Sequence, residues 1–328
     1  MPREHVSMAD VARRVGVSAQ TVSRVVNDSP RVDPATRARV EDAMAALGYR
    51  PHRAARALRT GRTHTVGVIA QTLSTVGNSR MLESIAAAAA AQGYAVTLVT
   101  TPGQSDVADA FARLGAQGVD GAIVLNEASA LARTAGWPAD LAIVAVDAPA
   151  GENYSVVRTD HAAGARLATE HLLTLGHESV HHLAGPENSF AAAERARGWA
   201  DALSAAGRDR PLLLQGDWSA ASGARAAQDL PPSATAVFAA NDQMALGVMS
   251  GLAAHGRRVP HDVAVVGFDD VIDAAYFSPA LTTVRQNFDR LGSAAVSLLL
   301  GQIAGGECVN ELHLPELIVR ASTGASGA

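Results

Sequence analysis

Carboxylates and amides recur in this sequence directly after short apolar runs. Asp147 follows Leu141–Val146, Asn241 and Asp242 follow Ala236–Ala240, and Asp269 and Asp270 follow Val263–Gly267 and Phe268. One aspartate in such a place is ordinarily a turn or capping residue. A recurrent set on a rigid rim can instead hydrogen-bond adjacent hydroxyls in pairs, and Trp218 and Phe288 offer apolar faces for the C–H side of a pyranose. The chemistry is that of a sugar cleft. A second group lies near the N-terminus. Gln20 suits adenine and Arg24 suits guanine as base-edge partners, while Ser7, Ser18, Thr21, Ser23 and Asn27 can donate to phosphates, which sets register without reading bases. Asp147 and Asp269 could also be imagined as the carboxylate pair of a glycosidase. No nucleophile motif supports that, and catalysis is not expected.

The elements that must position these residues are readable from caps and periodicity. Ser7, with Asp10 three residues on, predicts a helix start, and Gly16 its end. Ser18 then caps a second short helix with Val22 and Val25 or Val26 turned inward, and the tight glycine-containing turn between the two makes a helix-turn-helix unit. In such a unit the N-terminal residues of the second helix, here Ala19, Gln20 and Arg24, meet the major groove. Asp33-Pro34 starts a third helix whose Val40, Met44 and Leu47 complete a three-helix core, closed by Gly48 and Pro51. From Thr65 onward, short apolar strands alternate with helical stretches: Val66–Ile69, a helix near Met81–Gln92, then Ala95–Val99, Gly121–Leu125, Leu141–Val146, Val180–Ala184, Leu212–Gln215, Ala236–Ala240 and Val263–Gly267. This α/β pattern predicts parallel sheets with helices on both faces. Ligands bind such sheets beyond the carboxyl ends of the strands, where the polar residues fall.

Composition bounds the rest. In 328 residues, 48% hydrophobic and 18% charged, there is enough apolar surface for two or three well-buried domains. The net charge of −5 conceals an asymmetry: residues 1–62 hold 12 arginines against 6 acidic side chains, +6, leaving 15 against 26, −11, in the remainder. One end therefore attracts phosphate and the rest repels it. There is no lysine, so every fixed side-chain cation is an arginine, suited to forked contacts with phosphate or guanine. The single cysteine, Cys308, cannot form an internal disulfide and has no metal-ligand cluster near it. No cofactor or metal is expected. Residues 1–5 lead into no apolar signal core and Ile85–Ala91 is too short to cross a bilayer, which predicts a cytoplasmic protein without membrane association.

The stretch from Met8-Ala9-Asp10-Val11-Ala12 through Gly16-Val17-Ser18 to Thr21-Val22-Ser23-Arg24-Val25-Val26-Asn27 closely resembles the headpiece of the LacI/GalR family of transcriptional regulators. The likeness continues through Thr36-Arg37, Leu47-Gly48-Tyr49 and Pro51. Gly216-Asp217-Trp218-Ser219-Ala220, the run Ala240–Gly247, Val266-Gly267-Phe268-Asp269-Asp270, Pro279, Leu281-Thr282-Thr283 and Gln286 resemble the sensing core of the same family, so that residues 7–323 are covered. The resemblance implies an all-α helix-turn-helix headpiece (residues 1–51), a hinge helix and linker (52–62) and a two-lobed, periplasmic-binding-protein-like parallel-sheet sensor domain (63–328). Carried over position by position, it implies ligand contacts at Asp147, Arg195, Trp218, Asn241, Asp269, Gln286 and Phe288. Thr75, Gly77 and Met81 fall where the sequence diverges. It implies DNA contacts at Ser18, Ala19, Gln20, Thr21, Ser23, Arg24 and Asn27, with Leu58 as a minor-groove wedge on the hinge and Arg53, Arg56 and Arg59 as its electrostatic companions. Ala19 departs from a family member that carries tyrosine before the glutamine, which predicts a different operator.

The expected partners are a double-stranded DNA operator, a sugar effector and a second copy of the chain. The family's tetramerising leucine heptads have no counterpart in the closing Ala321–Ala328, so a homodimer is expected. A β-galactoside-like inducer is favoured; a glucoside, a cellobiose-type disaccharide or a co-repressor is the alternative. Transport, for which periplasmic sugar-binding proteins use similar lobes, is disfavoured by the headpiece and the lack of a signal peptide.

Overall fold

Ser7 starts the first helix, α1 (Met8–Val15), through a reciprocal capping box: its Oγ accepts from the Asp10 amide, and the Asp10 carboxylate accepts from the Ser7 amide at 2.9 Å. Gly16, at φ +75°, closes α1 in the left-handed conformation that glycine adopts without strain. Helix α2 (Ala19–Val26) follows Ser18, whose Oγ accepts from the Thr21 amide at 3.1 Å. Helix α3 (Pro34–Leu47) is capped by Asp33 and has proline in its first turn. Val11, Val15, Val22, Val25, Val40, Ala43 and Tyr49 form one buried core, with Met44 and Leu47 at its margin. Tyr49 is an addition to the expected core.

The computed structural model describes residues 6–26, 29–49, 61–101 and 107–324, and the chain divides into two compact units, Met1–Thr63 and His64–Ala328. Asn27, Arg53 and Leu58, and with them the expected hinge helix, lie outside the described residues.

The second unit contains two six-stranded sheets. In the first, β1 (Thr65–Ala70), β2 (Ala95–Thr100), β3 (Gly121–Leu125), β4 (Ala142–Val146), β5 (Ser155–Thr159) and β11 (Asn310–His313) lie in the order β11-β5-β4-β3-β1-β2, every pair parallel. In the second, β6 (His181–Ala184), β7 (Leu214–Gln215), β8 (Ala236–Ala239), β9 (Ala264–Asp269), β10 (Thr282–Arg285) and β12 (Glu316–Ile318) lie in the order β12-β10-β9-β8-β6-β7. Central strands such as β3 and β9 are buried along their whole length, which is why they read as unbroken apolar runs. Helices α4 (Val76–Ala91), α5 (Val107–Ala116), α6 (Glu127–Ala135) and α11 (Phe288–Ile303) pack on the first sheet. Helices α7 (His161–Thr174), α8 (Phe190–Ala205), α9 (Ala220–Asp229) and α10 (Asp242–Ala254) pack on the second.

The two-lobed parallel-sheet architecture is as expected, with four differences. Strand β12 runs antiparallel to β10, so the second sheet is mixed. Strands β5, β10, β11 and β12 do not stand out as apolar runs and are additions. The expected strand Leu212–Gln215 shrinks to Leu214–Gln215, with Leu212 84% exposed. The helix expected near Met81 begins at Val76, capped by Thr75.

The chain passes between the lobes three times, between β5 and α7, between β10 and α11, and between β11 and β12. These crossovers are tied together: Thr159 Oγ1 donates to Gln286 Oε1 at 2.9 Å, and the Asp160 amide donates to the His313 carbonyl at 2.8 Å. Bundled strands of this kind make a hinge about which two rigid lobes can move.

Candidate functional site

All seven ligand contacts implied by the sequence resemblance line the cleft between the lobes: Asp147, Arg195, Trp218, Asn241, Asp269, Gln286 and Phe288. Five of the seven stand where a strand ends or a helix begins, whereas Arg195 projects from within α8 and Trp218 lies in the loop between β7 and α9. Asp147 follows β4, Asn241 caps α10 after β8, Asp269 ends β9, Gln286 follows β10 and Phe288 opens α11. Thr75, Gly77 and Met81, in the divergent stretch, also line the cleft, and so do Asn78, Asn126, Glu127, Ser189 and Ala191.

A buried chain of polar groups crosses the floor of the cleft. His161, the first residue of α7 and 1% exposed, was not singled out from the sequence. Its Nε2 lies 2.8 Å from Asp147 Oδ1, off the line of a well-formed hydrogen bond, and its Nδ1 accepts from Arg195 at 3.4 Å (Nε) and 3.3 Å (Nη2). The acceptor role of Nδ1 leaves Nε2 as the protonated nitrogen that faces the carboxylate. Arg195 lies 3.6 Å from Asp269 Oδ1 and donates to the Ala240 carbonyl. Its guanidinium carbon sits 3.8 Å from the Phe268 ring centroid and 5.5 Å from that of Trp218, a stacked arrangement that suits a planar cation. Gln286 completes the chain, donating to Asp269 Oδ1 at 2.6 Å while accepting from Thr159. Among the described residues, the protein contacts of Asp147 and Asp269 fall on Oδ1, so Oδ2 of each is available to a ligand hydroxyl.

The electrostatics differ between the two carboxylates. Burial would raise the Asp147 carboxyl, but His161, the Thr159 amide and Arg195 outweigh it and hold Asp147 below the usual carboxylate range. Burial raises Asp269 despite Arg195 and Gln286. Burial, reinforced by Asp269, pushes Asp242 well above the ordinary value; Asp242 accepts from Thr283 Oγ1 at 2.5 Å and from the Val271 amide at 2.8 Å, which ties α10 to β10 behind the cleft.

Two hydrogen bonds cross the cleft away from the hinge. Trp218 Nε1 donates to Glu127 Oε1 at 3.1 Å, and the Val76 amide donates to Gln243 Oε1 at 3.2 Å. Trp218 lies over Gly185, where any Cβ would overlap the indole ring. Six non-glycine residues among those described have a left-handed backbone, and four of them, Asn126, Asp147, Trp218 and Asp269, line the cleft. Such conformations cost about 1–3 kcal/mol each and persist where the surrounding structure holds them, commonly at binding sites.

On the first unit, Ala19, Gln20 and Arg24 are exposed along α2, opposite the buried Val22 and Val25. Ser18 Oγ lies 2.9 Å from Thr21 Oγ1, and Thr21 and Ser23 are half-buried beside this face.

Residues 7–52 match the bacterial regulatory proteins of the lacI family and residues 169–323 the periplasmic binding protein-like domain. The lactose operon repressor of Klebsiella pneumoniae is 37% identical over 98% of this chain and 93% of its own length. The chain belongs to the lacI family of bacterial regulatory proteins. Another lacI relative, the regulator CelR of Thermobifida fusca, is 36% identical over 92% of this chain and 93% of its own length. Among solved structures, the lac repressor dimer bound to operator and the anti-inducer ONPF is similar with a TM-score of 0.84 and 34% identity, covering 98% of this chain and 99% of that one. A CelR–cellobiose complex has a TM-score of 0.72 and 34% identity, covering 97% and 99%. As a lacI-family regulator the chain is a DNA-binding repressor with a sugar-binding type of sensor domain, and its relatives are repressors rather than enzymes. No helix among the described residues is long and apolar enough to cross a membrane, and none of their side chains cluster as a metal site.

The missed cleft residues had a signal. His161 and Asn126 also follow strand ends, after β5 and β3. The rule that found Asp147 would have found Asn126 directly, and His161 once β5 was recognised.

Proposed function

We propose that the chain is a homodimeric repressor that holds a palindromic operator through α2 and leaves it when a β-galactoside-like glycoside fills the cleft. The observation that carries this reading is the convergence of Asp147, Arg195, Asn241, Asp269 and Gln286 with Trp218 and Phe288 around one cavity. Paired acceptors and donors beside aromatic faces match a pyranose ring. In this reading Ala19, Gln20 and Arg24 meet base edges, Ser18, Thr21, Ser23 and Asn27 meet phosphates, and Arg53 and Leu58 act at the minor groove. The solved relatives bound to operator with ONPF and to cellobiose support the two halves of the reading, the latter favouring a glucoside or cellobiose-type sugar as the alternative effector.

Release requires the sugar to bind the DNA-incompetent arrangement of the lobes more tightly; a hundredfold preference corresponds to about 2.7 kcal/mol per site. The test is an operator titration with and without galactosides and glucosides. Wild-type protein should release DNA with one of them, and Asp269→Ala should lose that response while keeping operator affinity near the wild-type value. Sugar that strengthens DNA binding makes the protein a co-repressor system, and a fully responsive Asp269→Ala overturns the cleft assignment.

A further inference from the structure

The cleft between the lobes has a volume of about 40 Å³, room for about three water molecules and too little for a pyranose. Its two sides are joined, away from the hinge, by the pair of cross-cleft hydrogen bonds. Each of these involves the first residue of a helix in the first lobe. Glu127 opens α6, is 8% exposed, and accepts from the Trp218 indole N–H at 3.1 Å across the cleft. Val76 opens α4, and its amide is one of the N-terminal N–H groups that a helix cannot satisfy internally. The capping oxygen, Thr75 Oγ1, is taken up by the Asn78 amide at 3.3 Å. The acceptor for Val76 comes from the other lobe instead, Gln243 Oε1 at 3.2 Å, in the first turn of α10. Val76 and Gln243 lie outside the lining of the cleft, so their bond acts on the spacing of the lobes rather than on a ligand.

We propose that these two bonds form a latch that the effector must open, so that effector affinity is set by the fraction of molecules in which Glu127 has released Trp218 and Gln243 has released Val76. This rests on the sugar-cleft reading above and adds the device that regulates it. Water replaces both partners of each bond once the lobes part, so each bond gives the closed arrangement only a modest preference. A ligand that binds only the open arrangement loses affinity in proportion to the scarcity of that arrangement. Weakening the latch therefore tightens binding, even through residues that never touch the ligand.

The test is calorimetric titration of the full-length protein with methyl β-galactoside, methyl β-glucoside, lactose and cellobiose. Gln243→Ala removes the acceptor of the outer bond. Val76→Pro removes its donor at a helix position that tolerates proline, after a residue already in the extended conformation (Thr75, φ −86°, ψ 141°). Each should tighten binding of the sugar that the wild type recognises by about three- to tenfold, and the double variant should match the singles because both remove one bond. Glu127→Ala should also tighten it, whereas Glu127→Gln, which keeps an acceptor for the indole, should stay within about twofold of wild type. The sugar concentration that releases half of the bound operator should fall by the same factors. Unchanged or weaker sugar binding by Gln243→Ala or Val76→Pro that retains the wild-type circular dichroism, or weaker binding by Glu127→Ala, overturns the latch while the sugar reading stands. Absence of binding by all four sugars to every form overturns both.

Discussion

Among the described residues, Asp147 and Asp269 each take their protein contacts on one carboxylate oxygen, and that arrangement was only half legible in the sequence. Their positions were readable because they follow long apolar strands. Their partner His161 was not, because β5 reads Ser-Val-Val-Arg-Thr and lacks the apolar length that marks β3 or β4. Arg195 lies inside α8 rather than at a strand end, so residue chemistry alone did not single it out and the family resemblance was needed. A second buried histidine makes a prediction about stability. His182 is fully buried, stacks on Phe238 with centroids 4.7 Å apart, and burial lowers its pKa from 6.5 to about 4 although the Phe238 carbonyl, an acceptor for Nδ1, opposes the shift. Because the folded value is the lower one, the unfolded chain takes up the proton first as the pH falls. The contribution is fully present above pH 6.5 and is lost progressively toward pH 4, by about 2 kcal/mol at pH 5. His171, His177 and His181 are shifted in the same direction, so the effect of His182 must be read against a variant. His182→Gln should be less stable than wild type at pH 7.5, and the gap should narrow by about 2 kcal/mol at pH 5 in urea denaturation. A constant gap would show that His182 does not titrate as described.

Helix pairs in the second lobe meet through glycine, a feature that composition does not disclose. A Cβ at Gly247 would overlap the Ala220 carbonyl, and one at Gly223 would overlap the Met244 carbonyl, so α9 and α10 pack backbone against backbone. The hydrophobic pattern predicted both strands and helices here, but not that their closest approach would be made without side chains. Periodicity reports which face of a helix is apolar and says nothing of the distance at which it packs. Gly247→Ala should therefore destabilise the protein by about 1–3 kcal/mol, whereas Gly115→Ala, on an exposed turn of α5 with no atom within 4 Å of the added methyl, should stabilise it by about 0.4–1 kcal/mol. Equilibrium unfolding of the two variants gives opposite signs if the packing is as described, and the same sign if it is not. The short strands β11 and β12 escaped sequence reading for a related reason: they are edge strands with exposed residues, so neither continuous nor alternating burial marks them.

At the scale of the whole chain, the +6 charge of residues 1–62 against −11 elsewhere separates two kinds of binding by their response to salt. Operator binding that neutralises six or more phosphates should weaken by about a thousandfold between 50 and 200 mM salt. An uncharged sugar enclosed between the lobes should bind with an affinity that changes less than about twofold over that range. Fluorescence anisotropy of operator DNA and calorimetry of the sugar, each at both salt concentrations, would check this; equal salt sensitivity would contradict the separation. The three crossovers have a further consequence, during synthesis of the chain. The headpiece core is complete once Tyr49 has been made, but both sheets wait for strands near the C-terminus: β11 at Asn310–His313 for the first lobe and β12 at Glu316–Ile318 for the second. At about 5–20 residues per second, a ribosome carries a foldable DNA-binding module for tens of seconds before either lobe can close. Nascent chains can thus meet DNA before they can sense sugar, and a premature stop shortly before β11 would release headpieces deprived of their regulator.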